Sequence, residues 1–319
     1  MKALVFTAAG QVDYREVPEP VAGPGEVLVD VRVAGVCGSD VHGVHSPGFR
    51  VPPLVLGHEL AGEVGSRRVA VNPLLTCGRC AACGTGSSFL CAERALIGVH
   101  RPGGLAPRIA VPADSLVDLG AGTSWRAASA VEPTANVVHA LRIAGSDLSP
   151  RARVAVLGAG AIGLLTLQLL RRRGVEDVTV VDLAETRRRE AVRLGARATD
   201  LQGTYDVTID AAGTAATRSG ALSHLRPGGL SVWIGLASAE AGFDATDLVR
   251  QGKRVSGCFA YSREDFRAAV AEVDHLDLTW VDLLPMTDCA EEFRELLAGR
   301  SSRLKAVFRT DSVPEDGDA

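Results

Sequence analysis

Four of the seven cysteines, Cys77, Cys80, Cys83 and Cys91, fall within fifteen residues of one stretch, NPLLTCGRCAACGTGSSFLCAERA (72–95). Two, two and seven residues separate them. Four thiolates complete a tetrahedral shell for Zn(II) and leave no position for a substrate. The intervening residues are small or flexible and let the backbone wrap around an ion. Cysteines two residues apart rarely reach disulfide geometry without strain, so a pair of disulfides is the weaker alternative. A structural zinc here would staple a loop with little core of its own, contributing on the order of 10 kcal/mol to folding. A closed site does no chemistry, so catalysis must lie elsewhere.

A second, mixed set of ligands is spread over three stretches: VCGSDVH (36–42), LGHELAGEV (56–64) and SAVEPTANVVHAL (129–141). They offer Cys37, His58, Glu59 and Glu132. One thiolate, one imidazole and one or two carboxylates can leave a coordination position open, the pattern of catalytic zinc. Each piece alone has a bland alternative: a core cysteine, or a turn with a satisfied histidine. Ser39 and His42 follow Cys37 by two and five residues. A proton could pass from a substrate hydroxyl through Ser39 toward His42 and solvent. Ser39 or Asp40 could equally cap a helix there, with His42 on the surface.

The third constellation is RVAVLGAGAIGLLTLQLLRRRGVEDVTVVD (153–182). A β-branched strand turns through Gly158, Gly160 and Gly163 into an amphipathic helix that opens with Ala161 and Ile162. A second strand ends at Asp182, nineteen residues after Gly163. Two glycines permit the tight turn and close approach of a pyrophosphate, and the third lets helix pack on strand. The phosphates would meet the helix N-terminus. Strand before, helix after and an acid at the next strand's end make this a dinucleotide fingerprint. Asp182 would accept from both ribose hydroxyls and repel a 2′-phosphate, which favours NAD. On the following helix, Arg187 would cover the adenosine ribose while Arg188 and Arg189 are solvated.

These groups need a large, soluble scaffold. The chain has 319 residues, which suggests two domains, and 46% of them are apolar. The net charge of −4 lacks the basic footprint of a nucleic-acid binder. Strands are expected at MKALVF, YDVTIDAAG (205–213), GGLSVWIGL (228–236) and KRVSGCF (253–259), with a turn at RPGG. The pattern after residue 150 is doubly wound α/β. No stretch is long enough to span a membrane, and the N-terminus is too soon interrupted for a signal peptide. The thiols are therefore expected in a reducing cytoplasm, where metal binding is more common than disulfides.

Taken together, Cys-Gly-Ser-Asp-x-His, Gly-His-Glu, the four-cysteine loop, Glu-Pro and the glycine fingerprint resemble the zinc-containing medium-chain dehydrogenase/reductase family, which includes the alcohol dehydrogenases. The sorbitol, threonine and galactitol-phosphate dehydrogenases look nearest. The resemblance runs from MKALVF to LKAVF. It implies a GroES-like, mostly-β catalytic domain at 1–134 and 260–319 and a Rossmann domain at 135–259. It implies Cys37 and His58 as catalytic-zinc ligands, Glu59 and Glu132 as alternative carboxylate ligands, and Ser39 and His42 as proton relay. Two zinc ions per chain, NAD, an alcohol or carbonyl substrate, and a homodimer or homotetramer follow from it.

Two departures from the family pattern stand out. The hairpin after GHELAGEV is trimmed. Only QGT separates ATDL (198–201), where a third Rossmann strand is expected, from YDVTID. Three or four residues span at most about 13 Å, so no crossover helix fits and strand three should be vestigial. The tail DSVPEDGDA (311–319) is acidic, lacks aromatics and reads as disordered. In GVHSPGFRVPP (43–53), His45, Ser46 and Arg50 suggest a polar border to the substrate cleft, leaning toward polyols, sugar alcohols or their phosphates. The expected activity is zinc- and NAD-dependent oxidation of such an alcohol or the reverse. A non-enzymatic nucleotide-binding protein and a zinc-free quinone or enone reductase are the alternatives; the filled ligand positions argue against both.

Overall fold

The structure, a computed structural model, describes residues 1–314 except 47 and 49. The chain divides into two compact units, Met1–Glu132 with Ser262–Ala319, and Pro133–Tyr261.

The first unit is mostly β. Strands β1 (Lys2–Ala8) and β2 (Gln11–Glu16) form a hairpin, and β3 (Glu26–Gly35) leads into helix α1 (Gly38–His45). β4 (Leu54–Val55) pairs with β1, followed by β5 (Glu59–Val64) and β6 (Arg67–Val71). The β5–β6 link is a two-residue turn with Gly65 at φ 61°, matching hairpin turns that place Gly first. The predicted trimming is thus a minimal hairpin. The cysteine lobe follows, held by β7 (Leu74–Leu75) and β8 (Ala95–Leu96) with the one-turn α2 (Ala81–Gly84) between them. Strands β9 (Arg108–Pro112) and β10 (Leu116–Asp118) and helix α3 (Trp125–Ser129) complete this half. The Ser124 hydroxyl caps α3 by accepting from the Ala127 amide at 3.1 Å.

The second unit holds most of α4 (Val131–Ala144). It continues with β11 (Arg153–Leu157), α5 (Ala161–Arg172), β12 (Asp177–Val181), α6 (Glu185–Arg193), β13 (Tyr205–Asp210), α7 (Ala215–Ser223), β14 (Leu225–Trp233), α8 (Ala245–Arg250) and β15 (Arg254–Gly257). Its five strands are all parallel, in the order β12-β11-β13-β14-β15. Strand order reverses beside β11, the switch point at which open α/β sheets bind ligands. The chain then returns to the first unit through α9 (Arg263–Glu272), β16 (Val281–Pro285), α10 (Cys289–Leu297) and β17 (Lys305–Arg309). β17 pairs antiparallel with β3, so the last strand lies in the first large sheet.

The expected strands all form, but RPGG is not a turn between elements. It lies inside β14, where the register with β13 shifts. Strand three is a single bridge, Arg197 to Thr179, and no helix follows before β13. Arg153, at the start of β11, ties down the short link that leads into β13. Its guanidinium donates to the carbonyls of Thr204 (2.7 Å) and Gln202 (3.4 Å), reaches Asp177 at 3.2 Å and lies 5.0 Å over the Tyr205 ring. Tyr205 is fully buried with Leu157 and Ala221. The tail is better held than its composition suggests. Val313 is buried and its carbonyl accepts from Arg309 at 2.7 Å, because an apolar side chain outweighs the neighbouring acids. Residues 315–319 of that segment lie outside the described residues.

Candidate metal and dinucleotide sites

The four-cysteine lobe has little apolar interior: Cys91 is buried, and Cys77, Cys80 and Cys83 are half-buried. The sulfurs nonetheless converge. Cys80 Sγ lies 3.5 Å from Cys83 Sγ, Cys91 Sγ 3.6 Å from Cys77 Sγ, and Cys77 Sγ 4.0 Å from Cys83 Sγ. A tetrahedron with Zn–S bonds of about 2.3 Å has edges of about 3.8 Å. The measured separations bracket that value, so the thiols fit a closed zinc site. Amides of Arg79 and Cys80 point at the Cys77 sulfur and, with the neighbouring thiols, hold its pKa down at about 7. A group that ionises near neutrality is a ready ligand.

The mixed set is assembled by sheet register. In the β3–β5 pair Glu59 stands opposite Gly35, and Cys37 follows two residues later, ahead of α1. Ligand atoms of Cys37, His58 and Glu59 lie within 4.8 Å of one another. Thiolate, imidazole and carboxylate in that space suit a zinc ion with an open position. Glu132 is buried in the first turn of α4 but lies outside this 4.8 Å group among the described residues.

Three further residues hold the group in place. Asp40 is fully buried, and its Oδ2 accepts from the Cys37 amide at 3.1 Å. Its Oδ1 lies 3.2 Å from His58 Nδ1, off the line of a full hydrogen bond, which leaves Nε2 as the metal-facing nitrogen. Burial alone would raise the Asp40 pKa. The charge of His58, with Arg50 beside it, outweighs burial and brings it to about 2. His58 is correspondingly held well above its usual value: burial opposes this, but Asp40 dominates. Lys305, on β17, donates to the Val36 carbonyl at 2.8 Å and to Glu59 Oε2. Burial pushes its ammonium pKa down, yet the charges of Glu59, Cys37 and Glu132 raise it overall.

Arg50 corrects one expectation. It does not border a polar cleft but turns inward, 6% exposed, donating to Asp40 Oδ1 at 2.7 Å and to the Ser39 carbonyl at 3.0 Å. His45 and Ser46 are exposed. Ser39 is half-buried and His42 exposed, three residues apart on α1 and so on one face. No hydrogen bond joins their side chains among the described residues.

In the second unit the glycine turn closes against its neighbours. Gly158 has φ 103°, and its amide donates to the Val181 carbonyl at 2.7 Å. A Cβ on Gly163 would overlap the Gly158 carbonyl, so α5 can start there only on glycine. A Cβ on Gly160 would meet nothing within 4 Å; that open side faces away from the packed turn and can admit a phosphate. Asp182 spans the turn: Oδ2 accepts from the Ala159 amide and Oδ1 from the Ala184 amide, both at 2.8 Å. The arginine run divides. Arg187 is exposed and lies 3.7 Å from Asp182. Arg188 is not merely solvated: it donates to the carbonyls of Asp182 and Leu183 at 2.8 Å each. Arg189 pairs with Glu185.

Sequence reasoning weighed Asp40 only as a cap, misplaced Arg50 and passed over Lys305. Lys305 did carry a signal, a lysine directly ahead of the apolar run Ala306–Phe308 at the start of a strand, where a buried charge must find a partner.

Comparison with known proteins agrees with this geometry. The alcohol dehydrogenase GroES-like domain matches residues 23–121 and the zinc-binding dehydrogenase domain residues 161–275. D-altritol 5-dehydrogenase of Agrobacterium fabrum is 31% identical over 301 residues, covering 86% of this chain and 89% of that protein. L-galactonate-5-dehydrogenase of Escherichia coli is 30% identical over 344 residues, covering 97% and 98%. Among solved structures, a zinc-binding dehydrogenase from Sinorhizobium meliloti bound to NADP superposes with a TM-score of 0.88 at 28% identity, covering 97% and 98%. On these matches the chain belongs to the zinc-binding alcohol dehydrogenase family and is an oxidoreductase.

Proposed function

We propose that the chain catalyses reversible hydride transfer between a secondary alcohol of the polyol, sugar-alcohol or sugar-acid class and NAD, using two zinc ions per chain. The observation that carries this reading is the clustering of Cys37, His58 and Glu59 within 4.8 Å, beside a separate four-thiol set with tetrahedral spacing. The first unit is the catalytic domain, and the second binds the cofactor. A bound zinc supplies Lewis-acid polarisation of the substrate oxygen, and the nicotinamide supplies hydride acceptance or donation.

The chain's own residues do the rest. Cys37 and His58 Nε2 hold the metal, and Asp40 orients the imidazole through Nδ1. Glu59 is the carboxylate in reach. Its Oε2 is tethered by Lys305, and Glu132 serves as the exchanging alternative. The Ser39 hydroxyl takes the substrate proton and His42 delivers it to water. Asp182 reads the ribose hydroxyls and disfavours a 2′-phosphate, with Arg187 alongside. The NADP-bound relative makes this preference a point to test.

A cytoplasmic homodimer or homotetramer completes the reading. The exposed apolar side chains Val249, Val255 and Phe259 around the edge strand β15 support the oligomer, and the reducing compartment rests on the free thiols. The decisive experiment is metal analysis with a substrate panel. About two zinc ions per chain and NAD-linked turnover of polyols support the reading. One zinc, or turnover of quinones alone, refutes it.

A further inference from the structure

We infer that Arg50 is a positioning residue of the mixed metal centre: its guanidinium fixes the Asp40 carboxylate, and through it the relative placement of Cys37 and His58. This rests on reading those two residues as metal ligands. Asp40 touches both sides of the centre, through the Cys37 amide at 3.1 Å and His58 Nδ1 at 3.2 Å. A carboxylate with two such duties must not rotate. Arg50 prevents rotation by a two-point hold, one nitrogen on Oδ1 at 2.7 Å and the other on the Ser39 carbonyl one residue earlier. Both side chains are out of water, so the pair is not a screened surface contact.

The site is shaped to admit this arginine. Gly43, inside α1, lies directly under it: a Cβ there would overlap Arg50 Nη1 and stand 2.9 Å from Cζ. Gly43 has no positive φ and caps nothing, so its lack of a side chain serves the guanidinium. Among the described residues the buried Nε has no partner, and the contacts of the arginine are those of its two terminal nitrogens.

The test compares zinc-loaded wild type, Arg50→Met, Arg50→Lys and Gly43→Ala. It measures zinc per chain, the rate of zinc transfer to a colorimetric chelator, and the visible spectrum after cobalt exchange. Outer partners of metal ligands are typically worth about 10–100-fold in metal affinity. One of two zinc ions should therefore leave roughly 10–100 times faster from Arg50→Met, with an altered cobalt spectrum, while the four-thiol ion leaves at the wild-type rate. Arg50→Lys keeps the charge but not the fork and should fall between. Gly43→Ala is the sharper variant. Alanine raises intrinsic helix propensity, so a purely structural role for α1 predicts equal or better zinc retention. Eviction of the guanidinium predicts faster loss. Wild-type release from Gly43→Ala overturns the inference, also if Arg50→Met fails to fold. A wild-type chain with only the four-thiol ion overturns instead the assignment of Cys37 and His58.

Discussion

Replacing Lys305 by Met should destabilise the first unit through a charge left behind. Lys305 and Glu59 are 7% and 1% exposed, so the Glu59 carboxylate has no water to replace its cation. The Val36 carbonyl loses its 2.8 Å donor at the same time. Removing one member of a buried ion pair costs about 3–5 kcal/mol, and a bound metal ion beside Glu59 would compensate part of that, so about 3 kcal/mol is expected. For a unit of this size, that is a fall of roughly 6–12 °C in melting temperature. Differential scanning calorimetry of zinc-loaded protein measures it. The double variant Lys305→Met/Glu59→Gln removes the stranded charge and should recover more than half of the loss. If it is no more stable than Lys305→Met alone, the cost is packing rather than charge and the reasoning fails.

Three further outcomes are expected. Cys83→Ser should lose about one zinc per chain and melt earlier while keeping the ion at Cys37 and His58, since three thiolates make an incomplete shell; elemental analysis decides. Asp182→Ala should bind NADH more weakly and narrow the preference over NADPH, read by fluorescence titration; equal use of both by wild type would mean the arginines outweigh the carboxylate. His42→Ala should keep its zinc and NADH affinity but turn over about 10²-fold more slowly at most, with partial rescue by added imidazole; a wild-type rate from pH 6 to 9 removes His42 from the relay.

What could be read from sequence depended on how local each device is. The four thiols announce themselves because the whole shell lies within fifteen residues. The glycine turn is legible for the same reason, down to Asp182 at the end of the next strand. Cys37, His58 and Glu59 were identifiable by type, but the residues that hold them were not. Arg50 looks like any polar loop residue until Gly43 is seen to leave room for it. Lys305 meets Glu59 only because β17 returns 246 residues later to pair with β3. Strand positions followed β-branched alternation. The RPGG run misled because a register shift inside β14 uses the same residues as a turn.

The Arg153 cluster has a consequence for how the edge of the parallel sheet responds to its surroundings. A crossover helix would seal that rim with apolar area, a force nearly indifferent to electrolyte. Here one side chain, 41% exposed, links Asp177, the Gln202 and Thr204 carbonyls and the Tyr205 ring. At physiological ionic strength the screening length is about 8 Å, so an ion pair this accessible weakens as salt rises. Local opening of the rim is thereby set by ionic conditions, while the sheet's interior answers to temperature through apolar hydration. The domain thus has two kinds of stability, and the margin at the start of β11 and β12, the end opposite Asp182, belongs to the one that salt can reach.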